Sequence, residues 1–364
     1  MNASHLEKIT ALRRQLHACP ELSGHETVSF NTLYDFLKAH TALKLEKHEG
    51  WLLVIHHEGD DLPNIGFRAD VDAIPSESEI ARHGCGHDGH SAILCGLALA
   101  LEGQSVGKNV YLIFQSAEET GQGAQLICNH WPGLTALSRI YGLHNIPGYP
   151  TGTLLMRDGC FACASCGLII RIQGRPAHAA YPGDGANPSE LLSRLVLETS
   201  RMIEDILAGD GRLLMRTIVG LRAGGENFGL SASEGQLCLT LRGHRQSDID
   251  ALVQRIEAYA RDGCASTGMT CDFELRDVFP DTTNDSRATA EARRLWEQAN
   301  LRLHDLAEPM RWSEDFGWYL KQAPGMFFGI GAGETWPGLH TRAYEFNDDL
   351  IAPAVDAFTL LARG

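Results

Sequence analysis

The chain has 364 residues and a formal net charge of −15, and 44% of its residues are hydrophobic. This negative charge argues against nucleic acid or an anionic membrane surface as a partner, because both attract basic patches. The sequence contains no run of the about 18 uncharged apolar residues that a membrane-spanning helix needs, and its length exceeds what one hydrophobic core usually supports, so two domains are expected.

The ten cysteines do not indicate a disulfide-bonded secreted protein. The chain is large, and its first residues lack the apolar core of a signal peptide. We therefore expect reduced thiols and a cytoplasmic location.

Reactive side chains follow three of the strands predicted in the first part of the chain. Hydrophobic periodicity predicts helices at residues 6–16 and 27–39 and strands at 51–57, 65–68, 109–114 and 139–143. Asp70 and Asp72, Glu118 and Glu119, and His144 come at or after strand ends. Ligands of open α/β sheets gather beyond the carboxyl ends of strands, so these groups are expected to meet at one edge of a largely parallel sheet. Asp70 and Asp72 alone are equally typical of turn contacts.

Residues 82–90 are the richest stretch in potential metal ligands. They place three histidines, one cysteine and one aspartate around three glycines, directly before an apolar run at residues 92–100. The pattern predicts a ligand-rich turn that leads into a buried helix. Thiolate and imidazole together suit zinc, and glycine lets the backbone bend until Cys85 and His87 point inward together.

The pattern of elements changes after about residue 163 and predicts an inserted domain. The predicted order is strand 165–173, helix 188–206, strands 212–221 and 235–242, helix 247–260 and strand 269–276. This βαββαβ order is typical of a compact α+β unit, and a helix at 287–300 resumes the first pattern. We therefore predict a catalytic domain over residues 1–163 and 282–364 and an inserted domain over residues 164–281.

Five side chains together form the mixed ligand set that a pair of divalent ions requires. They are Cys85, His87, Glu119, His144 and His340. Taken singly, His144 or His340 is more often a hydrogen-bonded structural histidine. Since neighbouring side chains diverge, Glu119 is assigned to the metal and Glu118 to the general base that a metal-activated water needs.

These motifs resemble the M20 metallopeptidases, in particular their amidohydrolase branch of aminoacylase, hippurate hydrolase and auxin-conjugate hydrolase type. The matching segments span nearly the whole chain and are residues 68–73, 83–90, 114–119, 143–147, 174–180, 313–316 and 339–341. The resemblance implies an α/β fold, with a metallopeptidase-type catalytic domain around a mainly parallel sheet and an inserted lid or dimerisation domain.

The resemblance also implies roles for individual residues. It carries the metal-ligand role to Cys85, His87, Glu119, His144 and His340 and the general-base role to Glu118. His178 resembles the small-domain histidine that reaches a substrate carbonyl, sometimes from the neighbouring subunit, and Asn227 stands where the family has a substrate-contacting asparagine. Asp72 and Asp88 are expected to orient the ligands, and His83 and His90 to support them or cap the helix.

The reaction implied is metal-dependent hydrolysis of the amide bond of N-acyl amino acids or related small amides. Two divalent ions are expected, Zn²⁺ first, with Mn²⁺, Co²⁺ or Ni²⁺ as alternatives, and a homodimer through the inserted domain is compatible with the family. The segment between Pro75 and His83 is shorter than in that branch, which is expected to reshape one wall of the pocket. The acyl group stays open.

Four other hypotheses remain open. Cys160, Cys163 and Cys166 have a spacing that hints at an iron–sulfur cluster, although the fourth cysteine of the ferredoxin pattern is missing. Cys85 is a candidate nucleophile paired with His87 or His90. A dipeptidase or carboxypeptidase of the same fold and a ligand-binding relative without catalysis are the further alternatives.

Overall fold

The structure is a computed structural model that describes residues 1–76 and 80–364. Its helices are α1 (Ala3–His17), α2 (Thr27–His40), α3 (His87–Leu101), α4 (Gly123–His130), α5 (Pro188–Leu207), α6 (Gln246–Thr267), α7 (Ser286–Gln298), α8 (Gly317–Leu320) and α9 (Ile351–Arg363). The shortened segment between Pro75 and His83 lies partly outside the described residues.

The strands follow the same chain order. They are β1 (Lys44–His48), β2 (Trp51–His56), β3 (Asn64–Asp70), β4 (Ile74–Pro75), β5 (Ala81–Arg82), β6 (Asn109–Gln115), β7 (Leu137–Ile146), β8 (Leu154–Met156), β9 (Gly159–Ala162), β10 (Ala164–Gln173), β11 (Leu214–Ala223), β12 (Glu234–Gly243), β13 (Thr270–Phe279), β14 (Thr282–Asn284), β15 (Leu303–Asp305) and β16 (Gly325–Gly331).

The chain divides into two compact units. The first unit comprises Met1–Phe161, Thr282–Pro309 and Glu314–Gly364. The second unit comprises Ala162–Asp281 and Met310–Ser313. The second unit is therefore formed mainly by a segment inserted between two parts of the first.

The first unit is built on an eight-stranded mixed sheet in the order β1-β2-β6-β3-β7-β16-β8-β15. The central strands β6, β3, β7 and β16 run parallel to one another, whereas β1 and β2 are antiparallel to their neighbours. Helices α1, α2, α3, α7 and α9 supply apolar side chains to one core together with these strands. The predicted α/β class is confirmed, and β6, β3 and β7 are adjacent, so their carboxyl ends open onto one edge.

Two predictions about this edge differ from the structure. Helix α3 begins at His87, so Asp88 and His90 lie in its first turn and only residues 83–86 form the preceding turn. His144 lies inside β7, which continues to Ile146 instead of ending at residue 143. In both cases pairing or helix formation extends through polar residues because those residues are buried among the other site residues.

The second unit is a four-stranded antiparallel sheet with two helices. The strand order is β11-β12-β10-β13, and α5 and α6 pack against each other and against the sheet. Alternate residues of β10, namely Leu168, Ile170 and Ile172, enter the core of this unit. Among the described residues, none of the helices in either unit has the length and apolar character needed to cross a membrane.

Candidate metal centre

The turn before α3 brings Cys85 next to the carboxyl end of β7. Gly86 adopts φ 106°, and a side chain there would come within 2.3 Å of the Asn145 side-chain oxygen. Glycine is thus required by both the backbone angle and the space. As a result, the Cys85 Sγ lies 3.3 Å from His144 Nε2. Burial, together with the nearby Glu119 carboxylate, raises the pKa of the Cys85 thiol.

His87 is fixed by Asp72 and presents its other nitrogen to the cluster. The Nδ1 atom lies 3.1 Å from Asp72 Oδ1, which favours the proton on Nδ1. The Nε2 atom is buried without a hydrogen-bond partner among the described residues. It lies 3.8 Å from Glu119 Oε1 and 4.0 Å from Glu118 Oε2. Burial acts to lower the pKa of His87, but the charge of Asp70 and the other neighbours raises it overall.

Among the described residues, five groups of side chains have the spacing that a metal ion requires, and two of these groups contain Cys85. In each group the potential ligand atoms all lie within 4.8 Å of one another. The two groups that share Cys85 are Cys85 with His87 and His144, and Cys85 with Glu119 and His340. The Oε1 atom of Glu119 is also buried without a hydrogen-bond partner among the described residues. Thiolate, imidazole and carboxylate around unpaired buried atoms fit a pair of borderline-soft divalent ions.

The neighbouring glutamates do not diverge as the sequence suggested. Both carboxylates approach His87 Nε2, because Ala117 before them has a left-handed φ of 53° and the chain leaves the alternating geometry of a strand. The other oxygen of Glu118 accepts a hydrogen bond from the Asp315 amide at 3.4 Å. Burial raises the pKa of Glu118, and the negative charge of Glu314 has the largest further effect in the same direction.

A buried arginine behind the cluster was not assigned a role from the sequence. Arg68 lies 2.7 Å from Asp70 Oδ2, 3.0 Å from Glu314 Oε1 and 2.6 Å from Asp315 Oδ1. Its Nε donates a hydrogen bond to the Gln115 side chain. The signal available in the sequence was a charged residue in the apolar strand β3 together with two successive acidic residues at 314 and 315.

His90 and Asp88 have different surroundings. The ring nitrogens of His90 lie 2.7 Å from Asp70 Oδ1 and 2.7 Å from Asn145 Oδ1, so His90 supports the cluster from behind. Asp88 instead contacts His17 Nδ1 at 2.7 Å and Arg13 at 3.6 Å, both on α1. These contacts of Asp88 join α1 to the start of α3.

Two other predicted residues lie in the second unit. His178 and Asn227 are both exposed. Residue 178 forms a β-bridge with Leu230, and the Ala179 amide donates to Gly229, so the two predicted residues lie on neighbouring segments. Their contact with substrate remains a prediction.

In the described part of the chain, the cysteines of the iron–sulfur hypothesis form no disulfide bond. Across residues 1–76 and 80–364, the groups with metal-ligand spacing do not include Cys160, Cys163 or Cys166.

His83 is buried, and neither of its ring nitrogens has a hydrogen-bond partner among the described residues. It stacks with His17 at a ring-centroid distance of 6.0 Å.

Comparison with known proteins identifies related hydrolases. Residues 66–364 match the model of peptidase family M20/M25/M40. An uncharacterized hydrolase of Staphylococcus haemolyticus (strain JCSC1435) is 27% identical over 374 residues, which cover 96% of this chain and 95% of that protein. The N-acetyldiaminopimelate deacetylase of Leuconostoc citreum (strain KM20) is 25% identical over 380 residues, which cover 98% of this chain and 96% of that protein.

A solved structure has the same fold. The Bacillus subtilis YXEP protein, described as a dinuclear metal binding peptidase from the M20 family, superposes with a TM-score of 0.81 at 23% identity. The match covers 100% of this chain and 98% of that chain.

The Arg68 network gives a prediction for stability. Replacing Arg68 by Met should lower the free energy of unfolding by about 3–5 kcal/mol, because it leaves buried carboxylates without their cation. Urea denaturation in the presence of a chelator measures this loss. Arg171→Met is the matched control, since Arg171 also contacts two carboxylates but its side chain is 41% exposed, and the stability of this variant should hardly differ from the wild type. Equal losses in the two variants would contradict the role given to Arg68.

Proposed function

Because this chain belongs to peptidase family M20/M25/M40, and is thus a hydrolase of that family, we propose that it hydrolyses the amide bond of N-acyl amino acids or related small amides. The observation that carries the proposal is the pair of metal-ligand groups sharing Cys85, with the buried carboxylate of Glu118 beside them. The relative named N-acetyldiaminopimelate deacetylase supports an acylated amine as substrate.

The cofactor proposed is a pair of divalent ions, with Zn²⁺ first and Mn²⁺, Co²⁺ or Ni²⁺ as alternatives. Cys85, His87 and His144 would hold one ion, and Cys85, Glu119 and His340 the other. Such ions supply a Lewis acid for the scissile carbonyl oxygen and favour hydroxide near neutral pH. The M20 protein of B. subtilis, described as dinuclear, supports the number of ions.

In the proposed mechanism Glu118 moves the proton. Its Oε2 faces the ligand cluster, and its Oε1 is directed by the Asp315 amide. A carboxylate in this position takes a proton from the attacking water and delivers it to the leaving nitrogen. Asp72 keeps His87 oriented throughout by its hydrogen bond to Nδ1.

The second unit is proposed to supply His178 to the substrate carbonyl, where its imidazole stabilises the developing oxyanion. Asn227 is proposed to contact the substrate. The His178 ring is exposed, and its Nδ1 accepts a hydrogen bond from the Ala180 amide at 3.1 Å, which leaves Nε2 as the donor. A homodimer through this unit, which would allow His178 to act in a neighbouring copy, stays a prediction.

The activity is tested with a substrate panel and metal removal. Metal-replete protein should hydrolyse N-acetyl, N-benzoyl or longer-chain acyl amino acids with a higher kcat/KM than dipeptides, and dialysis against a chelator should abolish turnover until Zn²⁺ is restored. Preferential cleavage of dipeptides would favour the peptidase alternative. Turnover that survives verified metal removal but is lost on thiol alkylation would favour Cys85 as a nucleophile.

Replacing Glu118 by Gln should lower kcat by about 100-fold or more, because the amide cannot accept the proton. Metal content, measured by mass spectrometry, should remain that of the wild type. Glu49→Gln, at an exposed position, is the control and should be fully active. A fully active Glu118→Gln protein would contradict the assignment of Glu118 as the general base.

Replacing His178 by Ala should lower kcat by about 100-fold through loss of an oxyanion donor, while metal content and the melting temperature stay unchanged. His57→Ala, an exposed histidine of the first unit, serves as the control. Parallel losses of activity and metal in His178→Ala would instead indicate a structural role.

A further inference from the structure

Two residues at the candidate metal centre have left-handed backbone angles without being glycine. Ala117 has φ 53° and His340 has φ 62°. Such conformations are uncommon for residues with a side chain, and they persist where surrounding contacts hold them. A backbone group of each residue forms a hydrogen bond with an acidic or basic side chain from a distant part of the chain.

Glu26 holds Ala117. The Ala117 amide donates a hydrogen bond of 2.8 Å to Glu26 Oε1, and the Glu26 side chain is buried at the start of α2. Two residues later, the Glu119 amide donates a hydrogen bond of 3.0 Å to Asp72 Oδ2. Two buried carboxylates therefore fix successive points of the turn that carries Glu118 and Glu119.

Arg82 holds His340. Its guanidinium donates to the His340 carbonyl at 2.6 Å and to the Thr341 carbonyl at 2.9 Å. The His340 amide in turn donates to the Gly84 carbonyl at 2.8 Å. Arg82 and Gly84, which lead into Cys85, thus form hydrogen bonds with both the carbonyl and the amide of His340.

The segments of Ala117 and His340 contribute to the same one of the two groups that share Cys85. Ala117 lies two residues before Glu119, and His340 is itself a candidate ligand. Glu119 and His340 lie together with Cys85, and the Nε2 of His340 is 3.4 Å from Glu119 Oε1. In the other group, His87 is carried by α3 and His144 by β7, which are regular elements of the first unit. Only the group of Cys85, Glu119 and His340 therefore depends on two irregular turns.

We propose that, given the two-ion site proposed above, Glu26 and Arg82 are positioning residues that set the metal affinity of the group of Cys85, Glu119 and His340. The Arg82 guanidinium is ionised, so its hydrogen bonds to the His340 and Thr341 carbonyls are stronger than bonds between neutral groups. The bond from the Ala117 amide to Glu26 is buried, so removing its acceptor would leave a buried donor without a partner. Residues that orient metal ligands from behind typically change metal affinity by about 10- to 100-fold when they are removed. The group of Cys85, His87 and His144 keeps its affinity without them.

The test is a zinc titration of folded protein in chelator-buffered Zn²⁺, with bound metal measured by mass spectrometry. Wild-type protein should bind two ions. Glu26→Ala and Arg82→Ala should each bind one ion with unchanged affinity and the second about 10- to 100-fold more weakly. Glu26→Gln should stay near wild type, because its Oε1 still accepts from Ala117, and Arg82→Lys should lie between, because it keeps one donor.

Two control variants have the same chemistry away from these turns. Glu21 accepts from the Val28 and Ser29 amides at the start of α2, and Arg157 donates to backbone carbonyls of residues 160, 306 and 307. Glu21→Ala and Arg157→Ala should bind both ions as the wild type does. Weakening of both ions in the test variants, wild-type titration curves in them, or the same loss in the controls would overturn the proposal.

Further outcomes distinguish the positioning role from a failure to fold and from an error in the proposed substrate. If Glu26→Ala does not fold, Glu26→Asp replaces it, because the shorter carboxylate is withdrawn from the Ala117 amide, and a wild-type zinc curve in that variant would contradict the role of Glu26. Wild-type protein that binds two zinc ions but hydrolyses no acyl amino acid would contradict the proposed substrate only. Wild-type protein that takes up no second ion would overturn the positioning role as well.

Discussion

The ion cluster around Arg68 is the interaction on which the edge of the central sheet depends. A buried charge is costly unless it is paired and hydrogen-bonded, and Arg68 is enclosed by Asp70, Glu314 and Asp315. Asp70 in turn holds His90, and the Asp315 amide directs Glu118. The Arg68 guanidinium therefore contacts both Asp70, which binds His90, and Asp315, whose amide binds the proposed base Glu118.

The cluster has more carboxylates than cationic partners, and this excess is compatible with the proposed ions. Asp70, Glu314 and Asp315 contact Arg68, and Glu118 is buried near them. The pKa of Glu118 is raised by its acidic neighbours as well as by burial. Cations held by Cys85, Glu119 and the histidines would offset this repulsion. The arrangement therefore relates the stability of the fold to the chemistry proposed for it.

Much of the fold followed from local patterns, and the exceptions have physical reasons. The periodicity of apolar residues predicted α1, α2 and the strands β2, β3 and β6 close to their observed limits. It placed the start of α3 too late and the end of β7 too early, because His87 and His144 are polar yet buried. The divergence expected for Glu118 and Glu119 fails because Ala117 turns the chain out of the extended geometry on which that expectation rested.

By itself the sequence determined the family motifs, the α/β class and the candidate ligands, since their residue types and spacing are local and chemically specific. Only the tertiary structure decided that Cys85 belongs to both ligand groups and that Arg68, Glu26 and Arg82 contact the segments that carry the candidate ligands and the proposed base. These contacts join residues far apart in the chain: Glu26 meets Ala117, and Arg82 meets His340. Hydrophobic periodicity records which face of an element is buried but not which partner it meets, so such pairings appear only when the chain is folded.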